Sequence, residues 1–294
     1  MALVYPIVLC IIVGIIFMIF DYKKENKKYQ TLELIKNLSN SMIEELPLAK
    51  DELEKDYQEI ILSLKEEIRK IKETDNIKYN DTVEYYTVWA HQIKTPIAAM
   101  KLKIKNEDSD FARQMDMQLL SIEQYVQMVL TFLRIDSDST DYVFKKYVLD
   151  DVIRPTIKKL APIFIEKKIK LSYENIEDEV LTDEKWLSFV VEQILSNSLK
   201  YTKEEGNIKI YMSDKNILCI EDDGIGIAKE DLPRIFEKGY TGYNGREQKN
   251  ASGIGLFLCK RICDELNIKI DICSEIAKGT KIFLDLSRYN LHVE

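Results

Sequence analysis

Two adjacent stretches of the sequence repeat apolar residues in steps of three and four, with a polar turn at residues 105–110 between them. The first repeat contains Tyr86, Ala90, Ile93, Ile97, Met100 and Ile104. The second contains Met115, Leu119, Ile122, Val126, Val129 and Leu133. This spacing predicts two amphipathic helices with one apolar stripe each. Because such a hairpin cannot close a core alone, we expect two copies to form a four-helix bundle, and therefore a homodimer.

His91 directly follows Ala90, so it lies about 100° around the helix from the apolar stripe. This places it at the solvent-accessible edge of the predicted bundle. Thr95 lies one turn further on the same face. The sequence has one other histidine, His292, close to the C-terminus. A lone histidine on a helix is more often structural or solvated than reactive, so the role of His91 depends on the rest of the chain.

Residues 2–20 contain no charged side chain. As a helix they would rise about 28 Å, close to the thickness of a membrane's hydrocarbon core. The alternative, a cleaved signal peptide, requires positive charge before the apolar stretch, whereas the lysine-rich residues 23–28 follow it here. We therefore predict a single transmembrane anchor over residues 1–21, almost nothing outside the membrane, and a cytoplasmic remainder.

A helical linker is predicted over residues 22–78. Residues 29–46 favour a helix with a break at Pro47. Between residues 51 and 75, apolar residues recur in steps typical of a coiled-coil seam. These are Leu53, Tyr57, Ile60, Leu64, Ile68 and Ile71. The linker leads into the hairpin, which we assign to residues 79–139.

Charge and cysteine content exclude some functions. The net charge of −8 argues against nucleic-acid binding, which requires a cationic surface to neutralise phosphates. The five cysteines form no evident disulfide framework and fit a reducing compartment. Cys259 and Cys263 lie four residues apart on a predicted helix. Metal binding is the alternative, but we interpret them as core residues because no histidine lies nearby.

From residue 142 onward, short β-like segments alternate with helical stretches. The β-like segments cover residues 142–148, 168–173, 207–212, 217–220, 268–272 and 280–286. This pattern predicts an α/β domain of about 150 residues, which we assign to residues 140–290.

Two clusters in this domain carry polar side chains suited to nucleotide chemistry. On a predicted helix, Asn197 offers an oxygen suited to Mg²⁺ and Lys200 an ammonium suited to phosphate. A polar stripe on a surface helix would explain these two residues equally well. Asp222-x-Gly224-x-Gly226 ends a predicted strand in a turn where the backbone can approach a ligand closely.

Two further segments favour a lid and a phosphate site. Residues 234–251 become mostly polar and suit a lid. Residues 252–257 enter a helix through glycines, and exposed amides at a helix N-terminus attract phosphate. The sequence contains no G-x-x-x-x-G-K-[ST] motif, which excludes a P-loop site.

Taken together and in this order, these segments resemble the sensor histidine kinases of bacterial two-component systems. The matching motifs are the phosphoacceptor box His91-Gln-Ile-Lys-Thr-Pro-Ile97, the N box around Asn197, the glycine boxes Asp222-x-Gly224-x-Gly226 and Gly253-x-Gly255 with the Phe236 segment between them, and the closing Gly279-Thr280. The resemblance covers residues 80–287. It implies a multi-domain chain, with a transmembrane helix, a helical linker, a hairpin dimerisation domain and a C-terminal α/β sandwich that binds ATP.

The short anchor, the lack of an outer domain and the lid at residues 238–246 further resemble the intramembrane-sensing kinases. Members of that group work beside ABC transporters that respond to peptide antibiotics, and they usually have two membrane helices, whereas this sequence predicts one. The resemblance implies a second copy of the chain, a response regulator, an ABC transporter permease and the membrane as partners.

The resemblance also implies that His91 is phosphorylated from Mg-ATP and that the phosphoryl group passes to an aspartate of the regulator. Asn197 would bind Mg²⁺, Lys200 would contact phosphate, and Asp222 would accept a hydrogen bond from the adenine amino group. Thr95 would position water for dephosphorylation of the regulator. The other implied nucleotide-site residues are Tyr201, Gly224, Gly226, Lys238, Arg246, Gly253, Gly255 and Thr280.

The ATP site departs from the family pattern at three places. Gln193 stands where Asn is frequent, and related ATPases place a general-base carboxylate there. Because an amide cannot take a proton from water, we expect slow hydrolysis, which favours transfer to histidine. The lid lacks an arginine near Thr241, so Lys238 or Arg246 would have to serve. Ala251 replaces a common glycine.

Gln92 is the most informative departure, because most kinases of this type have Glu or Asp directly after the phosphorylated histidine. Its carbonyl oxygen can orient the imidazole but cannot act as a base. A free imidazole is mostly neutral at pH 7 and already offers a lone pair, so we expect an active kinase with a modest rate. The departures leave two alternatives, which are a degenerate kinase acting as a transporter-associated scaffold and a membrane-tethered ATPase.

Overall fold

The structure is a computed structural model. It describes residues 4–37, 49, 51–105, 107, 109–135, 142–242 and 252–287. The chain divides into two compact units, Met1–Tyr79 and Asn80–Glu294. The helices are α1 (Val4–Asn37), α2 (Glu52–Ile104), α3 (Asp110–Ile135), α4 (Leu149–Glu166), α5 (Glu184–Tyr201) and α6 (Gly255–Glu265). The strands are β1 (Lys145–Val148), β2 (Lys170–Tyr173), β3 (Glu179–Thr182), β4 (Asn207–Asp214), β5 (Ile217–Asp222), β6 (Lys269–Glu275) and β7 (Gly279–Asp285).

The first unit contains α1 and the beginning of α2. α1 runs on to Asn37 without interruption, so the separate helix predicted to start at residue 29 is instead part of α1. The predicted break at Pro47 lies outside the described residues. Within the described part of the chain, no helix has the length and apolar character needed to cross a membrane. The anchor predicted over residues 1–21 is therefore not confirmed.

α2 is one continuous helix of 53 residues. The linker helix and the first hairpin helix, which the sequence suggested as two elements, are therefore a single element. The carboxylate of Asp51 accepts a hydrogen bond from the Glu54 amide at 2.8 Å, and acidic residues fill the first turn. Neither glycine nor proline interrupts the sequence from residue 51 until Pro96. Pro96 removes the amide that would bond the Gln92 carbonyl, yet the helix continues to Ile104.

α2 and α3 form the predicted hairpin, with the turn where the sequence placed it. A small cluster of Ala90, Val126 and Leu130 is buried between them, with Trp89 and Ile93 packed against it. The apolar stripe predicted for α3 is only partly correct, since Ile122 and Val129 are 42% and 39% exposed. Leu120 and Gln124 are buried instead. The reason is that α3 also packs against the C-terminal domain, whose core includes Leu120 and Ile135.

The C-terminal domain is a two-layer α/β structure, as predicted. In its described residues the main sheet has the order β2-β4-β5-β7-β6, with β2 and β4 parallel and the other neighbours antiparallel. β1 pairs with β3 in a separate two-stranded sheet, and β3 was not predicted. Alternation along β4 buries Ile208 and Ile210. These join Leu187 and Ile194 of α5 and Leu258 of α6 in one core.

The position of α5 depends on a cap at each end. At its N-terminus, Asp183 accepts hydrogen bonds from the Lys185 and Trp186 amides at 3.0 and 3.2 Å. At its C-terminus, the Lys167 ammonium contacts three carbonyls, those of Leu199, Lys200 and Thr202. A cation is favourable there because the last carbonyls of a helix carry partial negative charge. These contacts fix the residues that follow in the candidate site.

Candidate active site

A cavity of about 420 Å³ lies in the C-terminal unit, a volume typical of small-molecule sites. It brings together most of the nucleotide-site residues predicted from the sequence. Those that line it are Asn197, Lys200, Tyr201, Asp222, Gly226, Gly253, Gly255 and Thr280. Gly224 is not among the lining residues, but its amide binds the carboxylate of Asp222. The cavity is therefore built from α5, the end of β5, β7 and the two glycine turns.

α5 presents three of these residues on one face, at positions 197, 200 and 201. The Lys200 ammonium lies 5.4 Å from the centroid of the Tyr201 ring. Burial lowers the pKa of Lys200 and raises the pKa of Tyr201. Gln193 is buried one turn before Asn197 and also lines the cavity. Its side-chain oxygen lies close to Gly255, since a Cβ on that glycine would be 3.0 Å away.

Asp222 is buried at the end of β5 and holds several hydrogen bonds. Ser198 Oγ donates to its Oδ2 atom at 2.9 Å, and the Gly224 amide donates to Oδ1 at 3.0 Å. Burial raises the pKa of Asp222, while the hydrogen bonds from Ser198 and from the Gly224 and Thr280 amides act in the opposite direction. A carboxylate held in this way is a fixed hydrogen-bond acceptor inside the cavity.

The first part of the predicted lid, residues 234–242, is held by side-chain contacts. The Tyr240 hydroxyl donates to Asp231, and the Arg234 guanidinium lies 4.4 Å from the Tyr240 ring centroid. The Gly239 amide donates to the Gly253 carbonyl at 3.0 Å, which joins the first part of the lid to the glycine turn that follows it. We call this Gly239–Gly253 pair the lid base.

Of the two cations predicted in the lid, Lys238 and Arg246, the structure describes only Lys238. Lys238 does not line the cavity; its ammonium lies 4.5 Å from the ring centroid of Phe132 on α3. Arg246 lies outside the described residues.

His91, Gln92 and Thr95 are all exposed on α2. The exposure predicted for His91 from its position beside Ala90 is confirmed by the structure. Thr95 Oγ1 donates to the His91 carbonyl at 3.3 Å. The structure brings none of these three residues to the cavity. The hairpin contributes instead through α3, whose Ser121, Gln124, Tyr125 and Met128 line it.

The cysteine pair on α6 is part of the core, as expected. Cys259 and Cys263 are buried, and burial raises the pKa of both thiols. Among the described residues, no group of three or more His, Cys, Asp and Glu side chains is arranged to hold a metal ion.

Sequence reasoning missed Ser198, Lys167 and the Tyr240–Asp231 pair. Ser198 lies between Asn197 and Lys200 on α5, which are both predicted to contact the nucleotide, and this position indicated that it shares their surroundings. Lys167 and Leu199 are 32 positions apart in the chain, so their contact could not be found by local pattern.

Comparison with known proteins identifies the class of domain that holds this cavity. Residues 182–290 match the family of histidine kinase-, DNA gyrase B- and HSP90-like ATPases. That range includes every predicted nucleotide-site residue. The domain is therefore an ATP-binding domain of this class.

Relatives that match most of the chain narrow the class. The sensor protein BceS of Halalkalibacterium halodurans is 31% identical over 97% of this chain and 86% of its own length. The sensor protein kinase GraS of Staphylococcus aureus is 31% identical over 100% of this chain and 85% of its own length. The sensor histidine kinase YxdK of Bacillus subtilis is 31% identical over 73% of this chain and 67% of its own length. The chain belongs to the sensor histidine kinases of this type. It is an ATP-dependent protein-histidine kinase of a two-component system, and its cognate partner is a response regulator.

Proposed function

We propose that Mg-ATP binds in the cavity beside α5 and that its γ-phosphoryl group passes to His91, and then to an aspartate of the response regulator. The observation that supports this most directly is the shared cavity itself. One space of about 420 Å³ is lined by Asn197, Lys200 and the buried Asp222, whose side chains carry an amide oxygen, an ammonium group and a carboxylate. These groups match the three parts of the ligand, which are the metal, the phosphates and the adenine amino group.

The metal in this proposal arrives with the nucleotide. Mg²⁺ commonly binds through one or two protein oxygens together with substrate phosphates and water. The donor set fits this mode, since Asn197 lines the cavity and its side chain carries one amide oxygen. The bound ion would neutralise charge on the phosphates. Lys200 would add a second positive charge, and Tyr201 would pack against the adenine. Thr280 and the glycines at 224, 226, 253 and 255 would shape the pocket and its hinges.

The phosphoryl acceptor must come to the cavity for transfer to occur. In-line transfer requires the reacting atoms to be about 3–3.5 Å apart. Because α3 rather than His91 lines the cavity, we propose that the ATP-binding domain leaves α3 and approaches α2 before transfer. Lys238 would then leave the Phe132 ring and, with Arg246, contact the phosphates. Gln92 would orient the imidazole, and Thr95 would act in dephosphorylation of the regulator.

The hairpin supports a homodimer. Its apolar stripes leave Tyr86, Met100, Ile122 and Val129 between 36% and 42% exposed in the single chain. Pairing with a second hairpin would bury them in a four-helix bundle. Light scattering of the cytoplasmic part, residues 79–294, should give the mass of two chains, whereas a monomer would contradict this part of the proposal.

We further propose that residues 1–21 anchor the kinase in the cell membrane with its catalytic part in the cytoplasm. The support is the uncharged stretch over residues 2–20, whose described side chains at Phe17, Met18 and Phe20 are highly exposed. Replacing residues 9–20 by a polar helical sequence should move the protein from the membrane fraction to the soluble fraction. Its proposed signal is peptide-antibiotic stress, sensed beside an ABC transporter permease, because the chain resembles kinases of that kind.

The experiment must also distinguish two other functions, because Gln92, Gln193 and Ala251 depart from the family pattern. They are a scaffold without kinase activity and an ATPase without histidine transfer. Incubation of the full chain with ATP labelled at the γ-phosphate separates all three. Acid-labile label on the protein, lost in His91→Ala, supports the kinase. Release of phosphate without labelled protein would favour the ATPase, and neither product would favour the scaffold.

A further inference from the structure

Ser198 and Asp222 form a hydrogen-bonded pair inside the nucleotide cavity, and the sequence motifs give a role to the aspartate alone. Ser198 Oγ donates to Asp222 Oδ2 at 2.9 Å. The two residues are 4% and 7% exposed, and both line the cavity. Because the serine belongs to α5 and the aspartate ends β5, the bond ties together two of the elements that form the site.

We propose that Ser198 is a positioning residue that holds the Asp222 carboxylate ionised and oriented to accept from the adenine amino group, and that it thereby selects adenine over guanine. This inference rests on the proposed contact between Asp222 and adenine. A carboxylate has about four lone-pair sites. The Ser198 hydroxyl and the Gly224 amide bind one oxygen each, and the Thr280 amide is a third donor, which leaves about one acceptor site for the ligand and fixes its direction.

The same arrangement disfavours guanine. Guanine carries a carbonyl oxygen where adenine carries its amino group, so two acceptors would face each other without a hydrogen between them. Such an unpaired contact is a device that rejects the wrong ligand. A protonated Asp222 would reverse the preference, because its O–H would donate to the guanine oxygen. The discrimination therefore depends on Asp222 staying ionised.

The surroundings of Asp222 make the Ser198 hydroxyl important for this. Burial acts most strongly and raises the pKa of Asp222, and the negative charge of Asp223 raises it further. Ser198 gives the largest opposing effect, followed by the amides of Gly224 and Thr280. The cations that line the same cavity are Lys167 and Lys200. Removing the Ser198 hydroxyl should therefore raise the pKa of Asp222 further. As the pH is lowered, the ionised carboxylate that accepts the hydrogen bond should then be lost at a higher pH than in the wild type.

The test measures binding of AMP-PNP, an ATP analogue that cannot transfer its phosphate, to the full chain between pH 5 and pH 8. For Ser198→Ala we expect the acidic decline in affinity to shift upward by about one pH unit, because one hydrogen bond to a charged group is worth about that much. Near pH 5, the Kd of Ser198→Ala for AMP-PNP should be about 10-fold higher than that of the wild type. In Ser198→Ala, the ratio of the affinity for AMP-PNP to the affinity for its guanine analogue should decrease most at the same low pH.

Controls separate this role from a structural one. Ser198→Thr keeps the hydroxyl and should keep the wild-type profile. Ser213→Ala removes an exposed hydroxyl on β4 and should change nothing. A loss of affinity in Ser198→Ala that is equal at every pH would show that the serine acts only on packing and would overturn the inference.

The contact between Asp222 and adenine is tested in parallel. Asp222→Asn should lose most affinity and its dependence on pH. If Asp222→Asn bound as wild type, the adenine contact and this inference would both fail. If it lost affinity while Ser198→Ala matched wild type, only the role of Ser198 would fail. The double variant should bind no more weakly than Asp222→Asn, because the serine acts through the aspartate.

Discussion

Substitution of Gly253 by alanine should open the lid base. Gly253 has a φ of +65°, and its carbonyl accepts the Gly239 amide. Alanine in this left-handed conformation costs about 1–2 kcal/mol. The added Cβ would also lie 2.5 Å from the Gly239 carbonyl carbon and 2.7 Å from the Tyr240 carbonyl oxygen. Both neighbours are backbone atoms, so Gly253 must move apart from Gly239 and Tyr240.

Gly239→Ala is a matched control for this prediction. Its φ is +77°, so it carries the same backbone strain. Among the described residues, however, no atom lies within 4 Å of the position that its Cβ would take. Strain of about 1–2 kcal/mol corresponds to about a 5- to 30-fold change in an equilibrium constant, which bounds the effect of Gly239→Ala on ATP affinity. Displacing the backbone should add about 1–3 kcal/mol in Gly253→Ala.

Calorimetric titration with AMP-PNP measures the difference on the full chain, with circular dichroism to verify that both variants are folded. We expect Gly253→Ala to bind at least about 5-fold more weakly than Gly239→Ala, as an added displacement cost of about 1 kcal/mol or more requires. Equal affinities in the two variants would refute the reasoning, because the steric contact would then have no consequence for the nucleotide.

Three further predictions concern other parts of the molecule. Gln92→Leu should autophosphorylate more slowly than wild type with an unchanged Kd for ATP, because the side-chain carbonyl that orients the imidazole is lost; an unchanged rate in a single-turnover labelling assay would contradict this. Lys167→Met should reduce the free energy of unfolding in urea by about 1–2 kcal/mol, since the carbonyls that end α5 lose a cationic donor, and Lys167→Arg should restore part of it. The Lys101–Glu123 ion pair, at 2.7 Å between α2 and α3, should show a coupling energy of about 0.5–1 kcal/mol in a double-mutant cycle with glutamine at both positions, and high salt should reduce it.

The α/β domain was predictable because its strands have a strong local signal. Ile208 and Ile210 alternate with polar residues, and this period fits a half-buried strand. β3 escaped prediction because Glu179–Thr182 is short and follows an acidic stretch. The cavity residues were predictable as a set because Asn197, Asp222 and the glycines stand in motifs whose order is characteristic.

Other features depend on contacts that no local pattern reveals. The burial of Leu120 and Gln124 follows from the ATP-binding domain packing on α3, which the periodicity of α3 alone did not indicate. Likewise, the hydrogen bond from Ser198 to Asp222 joins residues 24 positions apart. The continuity of α2 was missed for a different reason. Its upstream seam and the hairpin seam looked like two elements, yet no residue between them ends a helix.

The central claim is that His91 accepts the phosphoryl group, and peptide mapping of the labelled protein tests it most directly. Trypsin cuts after lysine and arginine, so the two histidines of the chain fall in separate peptides, residues 79–94 and residues 289–294. After incubation with γ-labelled ATP and digestion under alkaline conditions, we expect acid-labile label in the peptide with His91, unchanged in His292→Ala and absent in Asn197→Ala. Label in the peptide with His292, or label that persists in His91→Ala, would contradict the account.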